Sequence, residues 1–327
     1  MNGFNFEKEK SKAVRALTEN GLEISQAEIV ADCFATADLY GVTSHGCAVL
    51  PAHIERLKRG GYNLNPVFKI IRETPSFAVI DGDNAIGPVS AAYCMDYAVA
   101  NVKENGVFTV FSRNNNTFGP AFYYSLKAAE KGFIAFICSN SPAQMAPVGG
   151  KEKMLGTNPF SAVIPVPDSD PIIVDMATSV VAKSKFKEYK AQNKPLPDGW
   201  ALDKNGKPTN DPDEGIQGLV QPMAGFKGYS ISMLIDIMSG VMSGAAYLNK
   251  VGRFYSEDNN SMNVGFYITA FSPEIICGEG YGTEIKEFAE MLKNSAPADG
   301  KSVCLPGEDR IHYKKRNTDY EEKNCNF

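Results

Sequence analysis

The sequence of 327 residues predicts an α/β protein, in which helices pack against a β-sheet. Short apolar runs with strand character alternate along the chain with segments whose apolar residues recur at helical spacing. The composition, 43% hydrophobic and 22% charged residues, is that of an ordinary globular protein. The length allows one large domain or two intertwined ones.

The first part of the chain is predicted to be helical. Residues 6–43 predict two helices separated by a glycine, and Ser25 and Glu28 have the spacing of a capping box at the start of the second. A third helix, at about 50–59, carries a proline in its first turn, where proline is tolerated, and ends at two glycines.

The middle of the chain alternates between the two kinds of element. Strands are predicted at 76–80, 107–112, 132–139, 159–165, 172–175 and 264–268. Helices are predicted at 87–105, 118–131, 229–246 and 283–294. The segment 195–215 is rich in Pro, Asp, Asn and Gly, which favours a surface excursion over an inter-domain linker.

Charge and composition argue against several classes of protein. The net charge is −5 without a basic stripe, so we expect no nucleic-acid partner. No apolar run reaches the ~18 residues that span a bilayer, and the start lacks a signal-peptide pattern, so we expect no membrane partner and a cytoplasmic protein. The seven cysteines form no C-x-x-C pair and the three histidines no ligand cluster, so we expect free thiols and no protein-held metal.

Six phrases occur in order along the chain. They are SHG at 44–46, GTNP at 156–159, DMATS at 175–179, PDGWALD at 197–203, GFKGY at 225–229 and LPGE at 305–308. Together, over roughly residues 10–315, they resemble the malate/L-lactate dehydrogenase family of the second type. That family includes ureidoglycolate, sulfolactate and 2,3-diketogulonate dehydrogenases and cyclic-imine carboxylate reductases. The resemblance implies a layered α/β/α fold with a mixed sheet, which is not a Rossmann fold, flanked by N- and C-terminal helices.

The resemblance also implies an organisation in two parts. Residues 1–75 together with 283–327 would form a helical part for substrate binding and dimerisation, and residues 76–282 a central cofactor-binding part. Members of the family are dimers with the site near the subunit interface, so we expect a homodimer.

The usual dinucleotide signature is absent from the sequence. No strand–GxGxxG–helix segment occurs, and the glycines at 278–282 have the spacing of a plain turn. The resemblance nevertheless implies NADH or NADPH bound by scattered loop residues. The matching positions are Asn140, Asp175, Met176, Ala177, Lys227, Gly228, Pro306, Gly307 and Glu308. Read alone, Asp175 is equally a turn aspartate and Lys227 a solvated lysine. No arginine pair indicates a pocket for a 2′-phosphate, so NAD is favoured over NADP.

Hydride transfer to a carbonyl requires a proton donor beside the developing alkoxide, and histidine suits this role because its pKa lies near neutrality. The resemblance implies that His45 is this group, with Ser44 orienting the ring or capping the next helix. A cap or surface role for His45 is the alternative.

Three positions depart from the family's pattern. The family commonly has a substrate-clamping arginine where this chain has Val49, a tyrosine where it has His53, and a second histidine where it has Thr117. Threonine can donate a hydrogen bond but cannot act as a general base near neutral pH. His53 either faces the same cleft as a replacement proton donor or is an exposed helix histidine. Arg113, Lys183 and Lys185 are other possible anion-binding groups.

The leading hypothesis is an NAD(P)H-dependent oxidoreductase that interconverts a 2-oxo acid, or a related carbonyl, and its 2-hydroxy acid. His45 would exchange the proton, with Thr117 and His53 polarising the substrate. One alternative is a cyclic imine carboxylate reductase, since a protonated imine already accepts hydride. Another is a non-catalytic paralogue that binds a nucleotide or metabolite, suggested by Val49 and Thr117.

Overall fold

The computed structural model describes residues 4–256 and 260–324, with side chains described as far as residue 318. Within these ranges the helices are α1 Phe6–Thr18, α2 Ile24–Leu39, α3 Leu50–Lys58, α4 Gly87–Asn105, α5 Ala121–Ala129, α6 Ser184–Ala191, α7 Pro212–Gln217, α8 Phe226–Asp236, α9 Pro273–Cys277, α10 Tyr281–Lys293 and α11 Glu308–Asn324. The strands are β1 Lys69–Glu73, β2 Phe77–Asp81, β3 Val107–Asn115, β4 Ile134–Ser139, β5 Phe160–Ile164, β6 Ile172–Met176, β7 Ala201–Leu202, β8 Pro208–Thr209, β9 Leu219–Val220 and β10 Val264–Phe271.

The described part of the chain forms a large mixed sheet. Its seven strands lie in the order β1-β2-β3-β10-β4-β5-β6. Strands β2 and β3 are parallel, whereas β10 lies antiparallel between β3 and β4. The predicted α/β architecture with a mixed sheet is therefore confirmed.

One face of this sheet carries the main hydrophobic core. Ile80, Val110, Ile137 and Ile268, on four different strands, are all fully buried. They share a cluster with side chains of α4 and α5, and with α1 and α2 outside them. Because neighbouring residues of a strand point to opposite faces, the intervening side chains face the other way.

The opposite face carries a row of half-buried aromatic rings that crosses five strands. The rings are those of Phe77, Phe111, Tyr267, Phe136 and Phe160. Successive centroids are 5.3 to 6.2 Å apart. Met176 pairs with Phe160 on the edge strand β6, so it extends the row, and its side chain is 42% exposed. A contiguous apolar surface of this kind indicates a contact surface.

The N-terminus of α2 differs from the prediction. The capping box of Ser25 and Glu28 is wrong, since the capping residue is Glu23. Its carboxylate accepts from the backbone N–H of Ser25 at 2.9 Å and of Gln26 at 3.3 Å. A carboxylate at this position also interacts favourably with the helix dipole. Glu23 therefore caps the helix in place of the predicted Ser25.

The polar segment 195–215 is more structured than a surface excursion. It contributes β7, β8 and most of α7, and its strands form a small antiparallel sheet with β9. Leu196 and Ala201 are buried in a local core together with Phe186 of α6. The sheet could not be predicted from the sequence, because each of its strands has only two residues and turn-forming residues surround them.

The predicted helix 229–246 is present but has different ends. It begins earlier, at Phe226, and α8 passes after Asp236 into a π-helical segment, Ile237–Val241. The Asp236 carboxylate accepts from the side chain of Asn140 at 3.0 Å and from the N–H of Leu248 at 2.8 Å. These two bonds tie the end of α8 to the sheet and to the loop that follows. None of the helices in the described ranges is both long and apolar enough to cross a membrane.

Helix α11 is held between β6 and α2. The N–H of Ile173 on β6 donates to the carbonyl of Pro306 at 3.0 Å, and the Asn317 amide donates to the carbonyl of Leu39 at 3.0 Å. Gly307 adopts φ = +85°, and a Cβ there would lie 2.5 Å from the Cβ of Ile173. The glycine of the LPGE phrase thus permits both the turn and the close approach to β6.

We expect Gly307→Ala to destabilise the protein by about 2–5 kcal/mol, because a left-handed backbone costs an L-residue about 1–2 kcal/mol and overpacking about 1–3 kcal/mol. Urea unfolding measures this change. Gly280→Ala is the matched control, since a Cβ there meets nothing within 4 Å and φ is −74°. Equal unfolding midpoints for the two variants would contradict the packing described for Gly307.

Candidate active site

His45 ends a short 3-10 turn, Thr43–His45, that follows α2. Its Nδ1 lies 2.9 Å from the Ser44 hydroxyl. The next residue, Gly46, abuts Asp38, and a Cβ there would come within 1.9 Å of the carboxylate. That carboxylate accepts from the N–H of Cys47 at 2.7 Å. The SHG phrase therefore has a local structural reason: a side chain at position 46 would displace the turn that carries the histidine.

An ion pair stands at the end of β6. Arg310 Nη1 is 2.5 Å from Asp175 Oδ2, and Arg310 Nη2 donates to the Asp175 carbonyl at 3.2 Å. The guanidinium carbon lies 5.1 Å from the centre of the Phe122 ring. The two charged side chains are 18% and 12% exposed. The pair fixes the first turn of α11 against β6 and leaves part of the guanidinium open.

The charges of this pair act on His45. The imidazole is open to solvent on one side, yet the surrounding protein lowers its pKa by burial; the Asp175 carboxylate opposes that shift and the Arg310 guanidinium adds to it. Among the described residues, these are the two charged groups that influence the ring. His45 is therefore neutral near pH 7 and able to accept a proton.

His53 lies elsewhere, inside an aromatic cage. It is 3% exposed, and its Nδ1 is 2.9 Å from the Tyr62 hydroxyl. The rings of Phe34 and Phe254 lie 5.1 and 4.8 Å away. Burial, with a smaller effect of Arg56, lowers its pKa to about 3. The interpretation as an exposed helix histidine is wrong, and a catalytic role stays a prediction that this burial disfavours.

Thr117 is half-buried in the loop between β3 and α5. The preceding Asn116 is fully buried and accepts from Arg56 at 3.2 Å, which joins this loop to the His53 cage. A Cβ on Gly87, the first residue of α4, would come within 1.9 Å of the Thr117 carbonyl, so the backbone there is closely held. The loop leads into α5, whose Phe122 packs in one buried cluster with Val42 of the segment before His45.

The structure brings together most of the predicted cofactor positions. The chain leaves β6 at Met176 and Ala177, and the Thr178 carbonyl accepts from the N–H of Met223 at 2.9 Å. The Met223 carbonyl in turn accepts from the N–H of Gly228 at 2.9 Å. This pairing places the start of α8, with the exposed Lys227, beside the end of β6.

These groups fit a nicotinamide dinucleotide. Asp175 offers a carboxylate for hydroxyl groups and Lys227 an ammonium group for phosphate. Gly225 has φ = +62°, and a Cβ at this position would meet nothing within 4 Å, so a ligand can approach the backbone closely. Met176 and Phe226, 42% and 66% exposed, supply apolar surface for a planar ring.

The remaining cofactor positions, Pro306, Gly307 and Glu308, begin α11. Pro306 and Glu308 line a surface pocket of about 480 Å³ between the loop 166–171 and α10. Glu308 pairs there with Lys293 at 2.6 Å. The pocket is within the size range of small-molecule sites, and Ile311 of α11 also lines it.

Asn140 has a different environment from the other cofactor positions. It is 2% exposed, and its amide donates to Asp236 at 3.0 Å and to the carbonyl of Ala246 at 2.7 Å. Its carbonyl oxygen accepts from the N–H of Gly265 at 3.0 Å. The side chain is committed to the protein interior, so a cofactor contact at this position would come from the backbone.

The other predicted anion binders are engaged elsewhere. Arg113 pairs with Asp81 at 3.2 Å, and Lys185 pairs with Glu188 at 2.7 Å. Lys183 donates to the carbonyl of Gly218 at 3.0 Å, and burial lowers its pKa to about 8. Sequence reasoning missed Arg310, whose signal was its place two residues after the LPGE phrase.

The cysteines and the other metal-ligating side chains are dispersed. Within residues 4–256 and 260–324, no group of three or more His, Cys, Asp and Glu side chains is placed to hold a metal ion. Six cysteines of these ranges are free thiols, as expected: Cys33, Cys47, Cys94, Cys138, Cys277 and Cys304. The seventh, Cys325, lies outside the described residues.

Comparison with known proteins gives a consistent picture. A family model described as malate/L-lactate dehydrogenase matches residues 4–321. L-sulfolactate dehydrogenase of Methanocaldococcus jannaschii is 37% identical over 96% of this chain and 90% of its own length. Ureidoglycolate dehydrogenase (NAD(+)) of Escherichia coli is 33% identical over 90% of this chain and 84% of its own.

Solved structures agree. The M. jannaschii sulfolactate dehydrogenase superposes with a TM-score of 0.90 at 37% identity, covering 96% of this chain and 91% of that one. Malate dehydrogenase from Pyrococcus horikoshii superposes with a TM-score of 0.88 at 32% identity, covering 97% and 90%.

The electrostatics of His45 can be tested by NMR titration of the histidine Cε1–H resonances. We expect Asp175→Asn to lower the His45 pKa, since a stabilising negative charge is removed, and Arg310→Met to raise it, since a repelling positive charge is removed. His53 is an internal control, because it should stay neutral from pH 8 to pH 5. Unshifted His45 titration in both variants would contradict its proximity to the ion pair.

Proposed function

This chain belongs to the malate/L-lactate dehydrogenase family, and from that premise we propose that it interconverts a 2-hydroxy acid and the corresponding 2-oxo acid with a nicotinamide cofactor. The observation that carries the proposal is the packing that brings the His45 turn to the Asp175–Arg310 pair. Val42, which accepts from the N–H of His45, shares a buried cluster with Phe122, on which Arg310 stacks. The turn that carries Lys227 adjoins the end of the same strand. Proton exchange, anion binding and a cofactor surface thus meet at the end of β6.

His45 is the group that exchanges the proton. In oxidation its neutral ring takes the proton of the substrate hydroxyl, and in reduction the protonated ring returns it. We assign Nδ1 as the donor to the Ser44 hydroxyl, 2.9 Å away, which leaves the lone pair of Nε2 for the substrate. Asp175 stabilises the imidazolium once it forms. Thr117, in the loop between β3 and α5, is the proposed hydrogen-bond donor to the substrate oxygen.

We propose that the cofactor is held by Asp175, Met176 and Ala177, by Lys227 and Gly228, and by the segment 306–308. When bound, it supplies or accepts the hydride. Two of the first three amides of α8 donate back into the turn, Gly228 N–H to Met223 and Lys227 N–H to Ala224, so the Lys227 ammonium carries most of the attraction for phosphate. NAD is favoured over NADP, in line with the cofactor named for the E. coli relative.

We also propose that the protein is a homodimer. The aromatic row on the open sheet face is one support. The second is an exposed apolar face along α8 and the π-helical segment, formed by Ile231, Leu234, Ile237 and Val241. A second copy of the chain would bury both surfaces, which is the usual arrangement of soluble homo-oligomers.

A cytoplasmic location completes the proposal. Cys33, Cys94 and Cys138 are buried and pack as small hydrophobic groups, and burial raises the pKa of each thiol. Such packed, protonated thiols suit a reducing compartment.

Replacement of His45 tests the catalytic assignment. We expect His45→Ala to lower kcat at least ~100-fold, because general acid–base catalysis contributes about that factor or more. Steady-state cofactor oxidation with a panel of 2-oxo acids is the measurement. His312→Ala, at an exposed position of α11, should leave kcat unchanged. A loss below about threefold for His45→Ala, far under the general-acid range, would transfer the role to another group.

Fluorescence quenching on NADH and NADPH binding tests the cofactor site. Lys227→Gln should weaken NADH binding about tenfold, since hydrogen bonds to charged groups contribute ~1.5–3 kcal/mol. Lys204→Gln, at an exposed position in the β7–β8 turn, is the control. Failure of the wild-type protein to bind either nucleotide would remove the cofactor proposal. Binding without turnover on 2-oxo acids or cyclic imines would favour the non-catalytic paralogue.

A further inference from the structure

Val49 cannot bind a substrate carboxylate. It ends the second 3-10 turn, Cys47–Val49, and packs against the main core as a half-buried side chain. The position that holds an arginine in the family's pattern therefore holds an apolar group here. An acidic substrate requires a cation from another part of the chain.

The chemistry of the substrate restricts where that cation can lie. In a 2-oxo acid the carboxylate carbon is bonded directly to the carbonyl carbon. The group that exchanges a proton with the carbonyl oxygen must therefore lie close to the group that binds the carboxylate. In the proposed function the proton-exchanging group is His45. Arg310 meets this condition through packing, because its guanidinium stacks on Phe122. Phe122 and Ile311 share a buried cluster with Val42, and the Val42 carbonyl accepts from the N–H of His45 at 3.0 Å.

We propose that Arg310 binds the carboxylate of the substrate and takes the place of the arginine missing at position 49; this inference rests on the proposed function. A guanidinium has five N–H donors. Oδ2 of Asp175 lies 2.5 Å from Nη1, and the Asp175 carbonyl accepts from Nη2, so neither contact uses Nε. Although it is ion-paired, Nη1 has no hydrogen-bond partner among the described residues, so Arg310 has unused donors for a second carboxylate.

The surroundings of Arg310 fix its orientation. The guanidinium stacks over the Phe122 ring, with its carbon 5.1 Å from the ring centre. Its side chain is 18% exposed, so part of it remains accessible to solvent. A planar group held on one face by an aromatic ring and along one edge by a carboxylate loses little further freedom when it binds a second carboxylate.

The charges also balance around this residue. During reduction the site holds the substrate carboxylate and Asp175, and it holds Arg310 and protonated His45. Two negative and two positive groups thus stand together, whereas an apolar group in place of Arg310 would leave a net negative site. The other candidate cations lie in other contacts: Arg113 pairs with Asp81, Lys185 with Glu188 within α6, and Lys183 donates to the carbonyl of Gly218.

The alternative is that Arg310 only ties α11 to β6. A structural tie would affect every substrate alike, and it would also change cofactor binding and stability. A carboxylate-binding residue affects only substrates that carry the carboxylate. Comparison of a 2-oxo acid with its own 2-oxo amide separates the two roles.

The experiment measures kcat and KM of Arg310→Gln and Arg310→Lys with the monocarboxylic 2-oxo acid that the wild-type protein reduces fastest and with the corresponding 2-oxo amide. For Arg310→Gln we expect kcat/KM on the acid to fall about 10- to 100-fold, mostly through KM, as for one charge-assisted interaction. On the amide the change should be less than threefold, and Arg310→Lys should lie between. Arg316→Gln is the control, since Arg316 lies on the same helix and stacks on Tyr313.

Equal losses on the acid and the amide, or no loss on either, would overturn the proposal. NADH affinity and the unfolding midpoint are measured for each variant, and Arg310→Lys keeps the charge if Arg310→Gln folds poorly. Binding of oxamate to the enzyme–NADH complex is a readout that needs no turnover. If the wild-type protein reduces no 2-oxo acid, the proposed reaction fails, and oxamate binding then decides the role of Arg310 alone: a selective loss in Arg310→Gln supports it, and unchanged binding overturns it.

Discussion

The ion pair between Asp175 and Arg310 is the interaction on which the site depends. It connects the edge strand β6 to helix α11 across 135 residues of sequence. The same helix is bonded to the end of α2 through Asn317, and the turn that carries His45 follows α2 directly. An N-terminal turn, an edge strand and a C-terminal helix therefore converge on one point, and the pair holds two of the three together.

A partly buried ion pair of this kind contributes more to the positions of its two side chains than to the stability of the fold. Removing two charges from water costs free energy that their attraction roughly offsets, whereas loss of one partner leaves the other uncompensated. The pair is placed where it sets the charge on His45, because its two members shift the pKa of the imidazole in opposite directions while burial lowers it. The imidazole thus stays neutral at rest, and the carboxylate remains available to stabilise it once protonated.

Much of this arrangement could be predicted from the sequence, because it rests on local patterns. Helix α4 has the predicted bounds, 87–105, and six strands of the large sheet fall within a few residues of theirs, whereas the edge strand β1 was not predicted. The SHG, DMATS and GFKGY phrases located one side of the site. Arg310 was not found, because an arginine in a charged tail gives no local sign that it will meet Asp175. The small sheet and the π-helical segment were not predicted for a similar reason, because tertiary contacts determine whether either one forms.

Strand β6 links the two surfaces of the protein that matter most for its proposed function. Because successive side chains of a strand point to opposite faces, Asp175 faces Arg310 and His45, whereas Met176 extends the aromatic row on the other side. Residues adjacent in sequence thus belong to the proton-exchanging cluster and to the apolar face of the sheet, and the proposed cofactor contacts both at the end of β6.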